Sequence, residues 1–79
     1  MKVRVVTFAR LRELLGAERI VEVPAGAQIY DLWAELAREA PIAELAASTR
    51  AARNGRVCGF GTPLHDGDEV ALMPPVGGG

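Results

Sequence analysis

Val70-Ala71-Leu72-Met73-Pro74-Pro75-Val76-Gly77-Gly78-Gly79 closes the sequence, and how it is read decides the fold. With Glu69 in front, it predicts a strand over Glu69 to Met73. Four apolar residues in a row are what a strand buried on both faces in the middle of a sheet carries. Proline has no N–H to give to a ladder, so pairing is expected to stop at or before Pro74. Three successive glycines lose more conformational entropy on ordering than any other tripeptide, which makes them poor packing material. They are also thin, and a backbone without Cβ passes through a slot closed to other residues. Two readings stay open for such a tail. It is a frayed or leftover end, or the Gly79 carboxylate is itself the group that chemistry uses.

The other end of the chain offers a partner for that strand. Lys2 to Thr7 alternates, with Val3 and Val5 on one side and Arg4 and Val6 on the other, and predicts a strand with one largely apolar face. Phe8, Leu11, Leu14 and Leu15 then recur at helical spacing, and Gly16 stands where a helix C-cap is expected. Arg19 to Val23 alternates again and is closed by Pro24. The strongest helical stripe is Ile29, Leu32, Trp33, Leu36 and Ala40 within Gln28 to Ala40. Ala27 offers no side-chain oxygen as its N-cap, Asp31 suits the positive end of the dipole, and Pro41 is expected to end the helix. Trp33 at this spacing belongs to the core rather than to a ligand. Ile42 to Thr49 allows another helical turn. Arg50 to Arg53 and the residues from Arg56 onward form a hairpin around Asn54-Gly55, both of which tolerate the left-handed backbone of a two-residue turn. Leu64 is an expected core anchor, and His65-Asp66-Gly67-Asp68 is a turn.

This order gives one sheet with the long helix across one face. The most apolar strand, the last, is expected at the centre beside the first, so that both chain ends lie mid-sheet. Phe8, Phe60 and the off-core members of Leu72 and Met73 then form either satellite packing or an exposed apolar patch near the tail, which would mark a partner surface.

Composition excludes several functions. At 79 residues, with 49% apolar and 24% charged residues, the chain is one globular domain. Its net charge of −1 argues against nucleic acid, whose phosphates demand a basic surplus. No apolar run spans a bilayer, and Met1-Lys2-Val3-Arg4 opens on a strand pattern rather than a signal peptide, so no membrane association and a cytoplasmic location are expected. The single Cys58 rules out an internal disulfide and a cysteine-based zinc site. No Gly-rich phosphate loop is present, His65 lacks partners for a nucleophilic set, and Asp66-Gly67-Asp68 lacks the spaced ligands of a calcium loop. No metal site and no cofactor bound by this chain are expected.

Taken together, Phe8-Ala9-Arg10-Leu11-Arg12-Glu13-Leu14-Leu15-Gly16, Asn54-Gly55, and Pro63-Leu64-His65-Asp66-Gly67-Asp68-Glu69-Val70-Ala71 leading into the Pro-Pro-Val-Gly-Gly-Gly end resemble the MoaD-type sulfur carriers. These are the small subunits of molybdopterin synthase, within the MoaD/ThiS ubiquitin-like family. The likeness covers essentially the whole chain, and its end is the most specific part. Gly77 departs from the family, where a small residue such as Ser or Thr is frequent.

The resemblance implies an α+β, ubiquitin-like β-grasp fold: a mixed sheet of four to five strands with one main helix across one face, over residues 1–76, followed by a flexible glycine tail at 77–79. It implies that an ATP-using, MoeB-type activating enzyme adenylates Gly79, that sulfur replaces AMP to give a thiocarboxylate, and that a MoaE-type large synthase subunit takes up the tail. Gly77 and Gly78 would thread into that partner, with Phe8, Phe60, Met73, Pro74, Pro75 and Val76 at the interface. The chain would act as a sulfur-donating subunit rather than as the catalyst. The same fold also carries sulfur for thiamine thiazole, tRNA thiolation and cysteine, and a ubiquitin-like modifier joined to lysines is a further alternative.

Overall fold

A computed structural model describes residues 1–75. Strand β1 (Lys2–Thr7) is followed by α1 (Ala9–Leu15), β2 (Glu18–Glu22), α2 (Ile29–Ala37), a 3-10 helix (Ala43–Ser48), β3 (Arg50–Arg53), β4 (Arg56–Cys58) and β5 (Glu69–Met73). The five strands form one mixed sheet in the order β2-β1-β5-β3-β4. β5 is central and runs parallel to β1, with Arg4 opposite Glu69 and Thr7 opposite Leu72. The neighbouring pairs β1–β2, β3–β5 and β3–β4 are antiparallel.

One face of this sheet carries the core. Val3, Val5, Val21, Ala51, Val70 and Leu72 from the strands meet Leu11 and Leu15 of α1 and Ile29, Leu32, Trp33 and Leu36 of α2. Leu64 and Ile42 complete it from the connections. The helices cover this face only. β5 is therefore buried on one side, at Val70 and Leu72, and only half-buried on the other, at Glu69, Ala71 and Met73. This corrects the expectation of burial on both faces: an apolar run marks a central strand, but a second layer has to exist before it buries both sides.

The main helix also differs at its ends. It starts after Gln28 instead of Ala27, because the Asp31 carboxylate reaches back to accept the Gln28 N–H at 2.7 Å, half of a capping box. It stops at Ala37, three residues before Ala40, where the N–H groups of Arg38 and Glu39 turn to the carbonyls three residues back, a tightening common in a last helical turn. β2 begins one residue earlier than Arg19, since Glu18 still pairs with Val6. Gly16 caps α1 with φ 86° and gives its N–H to the Arg12 carbonyl, as its place in the sequence predicts. The Asn54-Gly55 turn joins β3 and β4, with both residues left-handed at φ 50° and 85°.

Candidate functional site

The sheet register fixes what lies on the face away from the helices. Val6 is opposite Ala71, Ala71 opposite Ala52, and Ala52 opposite Val57, so these four form one row across β1, β5, β3 and β4. Ala52 is buried yet belongs to no part of the helix-side core. One step toward the end of β5, Met73 is half-buried and paired with Arg50. Beside it, Phe8 continues β1 past Thr7 with extended backbone (φ −134°, ψ 159°), which keeps the alternation and puts its ring on the Val6 side. Phe8 is 47% exposed and Val57 67%. The result is an apolar patch on the open face, directly beneath the point where the chain leaves the sheet.

Pro74 is buried and Pro75 exposed at that exit. Val76, Gly77, Gly78 and Gly79 lie outside the described residues. Of the remaining candidates, Leu72 is fully buried in the core, and Phe60 sits elsewhere. Its ring lies 5.5 Å from Tyr30 and 5.6 Å from Trp33, against α2 on the helix side. The structure thus brings Phe8 and Met73 to one face, leaves Pro74 and Pro75 at the exit that follows Met73, and sets Phe60 apart. It also adds Val57, with Val6 and Ala71 between. The sequence does hold a signal for Val57, the alternation after Asn54-Gly55, but only the strand order shows that it shares a face with Phe8.

Charged side chains lie on the same face and at the far end of the sheet. Arg4 on the open face pairs with Glu69 and, at 3.7 Å, with Glu18. These carboxylates raise its pKa, the Glu69 hydrogen bond foremost. At the opposite end of the sheet, Asp66 accepts the Lys2 N–H at 2.8 Å. Asp68 accepts hydrogen bonds from Asn54 Nδ2 (2.9 Å) and the His65 N–H (2.8 Å). Burial opposes its charge, yet these bonds and the nearby Arg53 outweigh it, and its pKa lies below the ordinary carboxylate value. The His65 ring is exposed, 3.9 Å from Asp68. Cys58 is a half-buried free thiol. Among the described residues no group of three or more His, Cys, Asp or Glu side chains is placed to hold a metal, and no helix is long and apolar enough to cross a membrane. A shallow concavity of about 420 Å³ opens between Val23–Ala27 and the Asp31–Glu35 side of α2, at the end of the sheet away from Met73.

The sequence profile described as the ThiS family matches residues 5–79. The chain belongs to the ThiS family. Among its relatives, the molybdopterin synthase sulfur carrier subunit of Escherichia coli is 35% identical over 80 residues, covering 98% of this chain and 99% of that protein. Among solved structures, the small archaeal modifier protein 1 of Haloferax volcanii superposes with a TM-score of 0.85 at 28% identity, over 100% of both chains. A protein–protein complex of subunits 1 and 2 of the molybdopterin-converting factor from Helicobacter pylori matches with a TM-score of 0.72 at 28% identity, again over 100% of both chains. This ThiS-family chain accordingly has the α+β, ubiquitin-like β-grasp fold that the family resemblance implies, and the strand order agrees with it. Its parallel β1–β5 pair is the centre of that fold.

Proposed function

We propose that this chain is the sulfur-carrying small subunit of a molybdopterin synthase, with the Gly79 carboxylate as its working group. The observation that carries the reading is the end-to-end match to a protein named as that subunit. An apolar patch at the root of the tail supports it. A terminal carboxylate has a reference pKa near 3.5, so Gly79 is ionised at neutral pH and is a poor electrophile. Activation has to come first. A carboxylate oxygen attacks the α-phosphorus of ATP on a MoeB-type activating enzyme, pyrophosphate leaves, and an acyl-adenylate forms. Hydrosulfide then attacks the acyl carbon, AMP leaves, and the thiocarboxylate remains.

The loaded tail, with Gly77 and Gly78 as its slender leash, enters a MoaE-type large subunit, where the sulfur is given up to the pterin. The Helicobacter pylori complex of two subunits supports this pairing. The open face with Phe8, Met73 and Val57 docks on that subunit, with Pro74, Pro75 and Val76 guiding the exit. ATP, pterin and metal chemistry belong to the partners, and the work is cytoplasmic. The likeness to the small archaeal modifier protein favours one second reading, a modifier joined to lysines.

Mass spectrometry after incubation with the activating enzyme, ATP and a sulfide donor tests the assignment. One oxygen-for-sulfur exchange, localised to Gly79, is the expected result. Lysine conjugates would establish the modifier instead, and an unchanged mass would remove both.

A further inference from the structure

The two cations nearest the apolar patch on the open face are treated differently by the fold. Arg4 is answered within the chain, by Glu18 and Glu69. Arg50 is not. It opens β3, is exposed, and stands opposite Met73, the last residue of β5 before the exit. Among the described residues the ion pairs engage Arg4, Arg19, Arg38 and His65, and no carboxylate pairs with Arg50.

Its neighbours on that face are apolar. Met73 lies directly across the ladder, with Cα atoms about 5 Å apart in such a pair. Ala52 follows two residues along β3, on the same side, and Phe8 lies beyond Met73. While the face is bare, the guanidinium keeps its water. A partner that covers Phe8 and Met73 strips that water away, and a charge desolvated without a counter-charge weakens the complex severely. The chain leaves the sheet directly after Met73, so a partner that takes up the tail closes around this point rather than leaving it at a wet rim.

We infer that Arg50 is a specificity residue of this face, and that the large synthase subunit presents an Asp or Glu carboxylate to its guanidinium beside the root of the tail. The planar fork of an arginine donates two parallel hydrogen bonds to such a group. A large subunit that brings an apolar or basic side chain to the same place is rejected by the unpaired charge. The inference rests on the reading of the open face as a docking surface and deepens it: the apolar residues supply contact area, and Arg50 selects which large subunit fits.

Calorimetric affinity of the full chain for the large synthase subunit of the same genome tests this, with thermal melting as the check on folding. Arg50→Met is expected to melt close to the wild-type temperature, as exposed positions do. It should bind about thirtyfold or more weakly, because the partner's carboxylate is left covered and unpaired. Arg50→Glu is expected to lose more than Arg50→Met, two carboxylates then facing each other, and Arg50→Lys less, since the charge stays and only the fork is lost. The Arg50→Met loss should persist in a chain whose Gly79 carboxyl has been made an amide by ligation. A loss that vanishes there assigns the guanidinium to the chain's own end and overturns the inference. Affinity unaltered or raised by Arg50→Met overturns it too, leaving a charge that only keeps the bare face soluble. So does an Arg50→Glu loss no greater than that of Arg50→Met. Val57→Asp separates the two levels. If it leaves binding intact, the docking reading falls and the inference with it; if it abolishes binding while Arg50→Met does not weaken it, only the inference falls.

Discussion

Asp68 lies buried in the turn before β5 and accepts hydrogen bonds from Asn54 Nδ2 and the His65 N–H. It thereby ties the β3–β4 turn to the entry of the central strand, while its own carbonyl accepts the Arg4 N–H at 2.8 Å. The sequence shows Asp66-Gly67-Asp68 only as a turn, because nothing local distinguishes the solvated carboxylate from the buried one. Contact with Asn54, fourteen residues away, decides it. Because the folded pKa of Asp68 is depressed, its stabilising contribution is complete above the unfolded value near 3.9 and fades as pH falls through the lower folded value. Replacing it with Ala leaves Asn54 and the His65 N–H unsatisfied and is expected to cost about 1–3 kcal/mol at neutral pH. Urea unfolding of both proteins from pH 7 downward checks this: the gap should be widest at pH 7 and close on acidification.

β5 divides its labour by face. Val70 and Leu72 anchor the helix side, and Ala71 and Met73 lie on the open side. Leu72→Ala should therefore destabilise the domain by about 2–5 kcal/mol, as core truncations do. Val57→Asp, at an exposed edge-strand position, should change stability by less than about 0.5 kcal/mol and still abolish binding of the large subunit. Denaturant titration and pull-down separate the two effects, and a binding-competent Val57→Asp variant would remove the patch from the interface. At this scale the periods of two and of three to four were legible: β1, β3, α1 and α2 stand within a few residues of where alternation and stripe place them. Element ends were less legible. The start of α2 depended on Asp31 reaching back to Gln28, and its stop at Ala37 on a 3-10 tightening well before Pro41, neither of which an apolar stripe encodes.

For the whole molecule, the proposed function asks a compact body to carry its working group beyond the end of the central strand at Met73. Gly78→Val, five residues past the end of β5 at Met73, is expected to leave melting unchanged while blocking sulfur transfer, since a branched side chain does not pass where a bare backbone does. Adding one residue after Gly79 should be as damaging, displacing the reactive carbonyl by about 3.5 Å when reaction geometry tolerates far less. Synthase reconstitution from purified components reads both, and transfer retained by Gly78→Val would defeat the narrow-slot argument. The sequence alone determined the strand and helix periods and the central place of the most apolar strand, because these are local or compositional. Only the tertiary structure decided that Phe8, Met73 and Val57 share one uncovered face, that Phe60 packs with α2 instead, and that Asp68 is buried. Those facts depend on strand order and on which face the helices cover, and they arise from contacts between residues far apart in the chain.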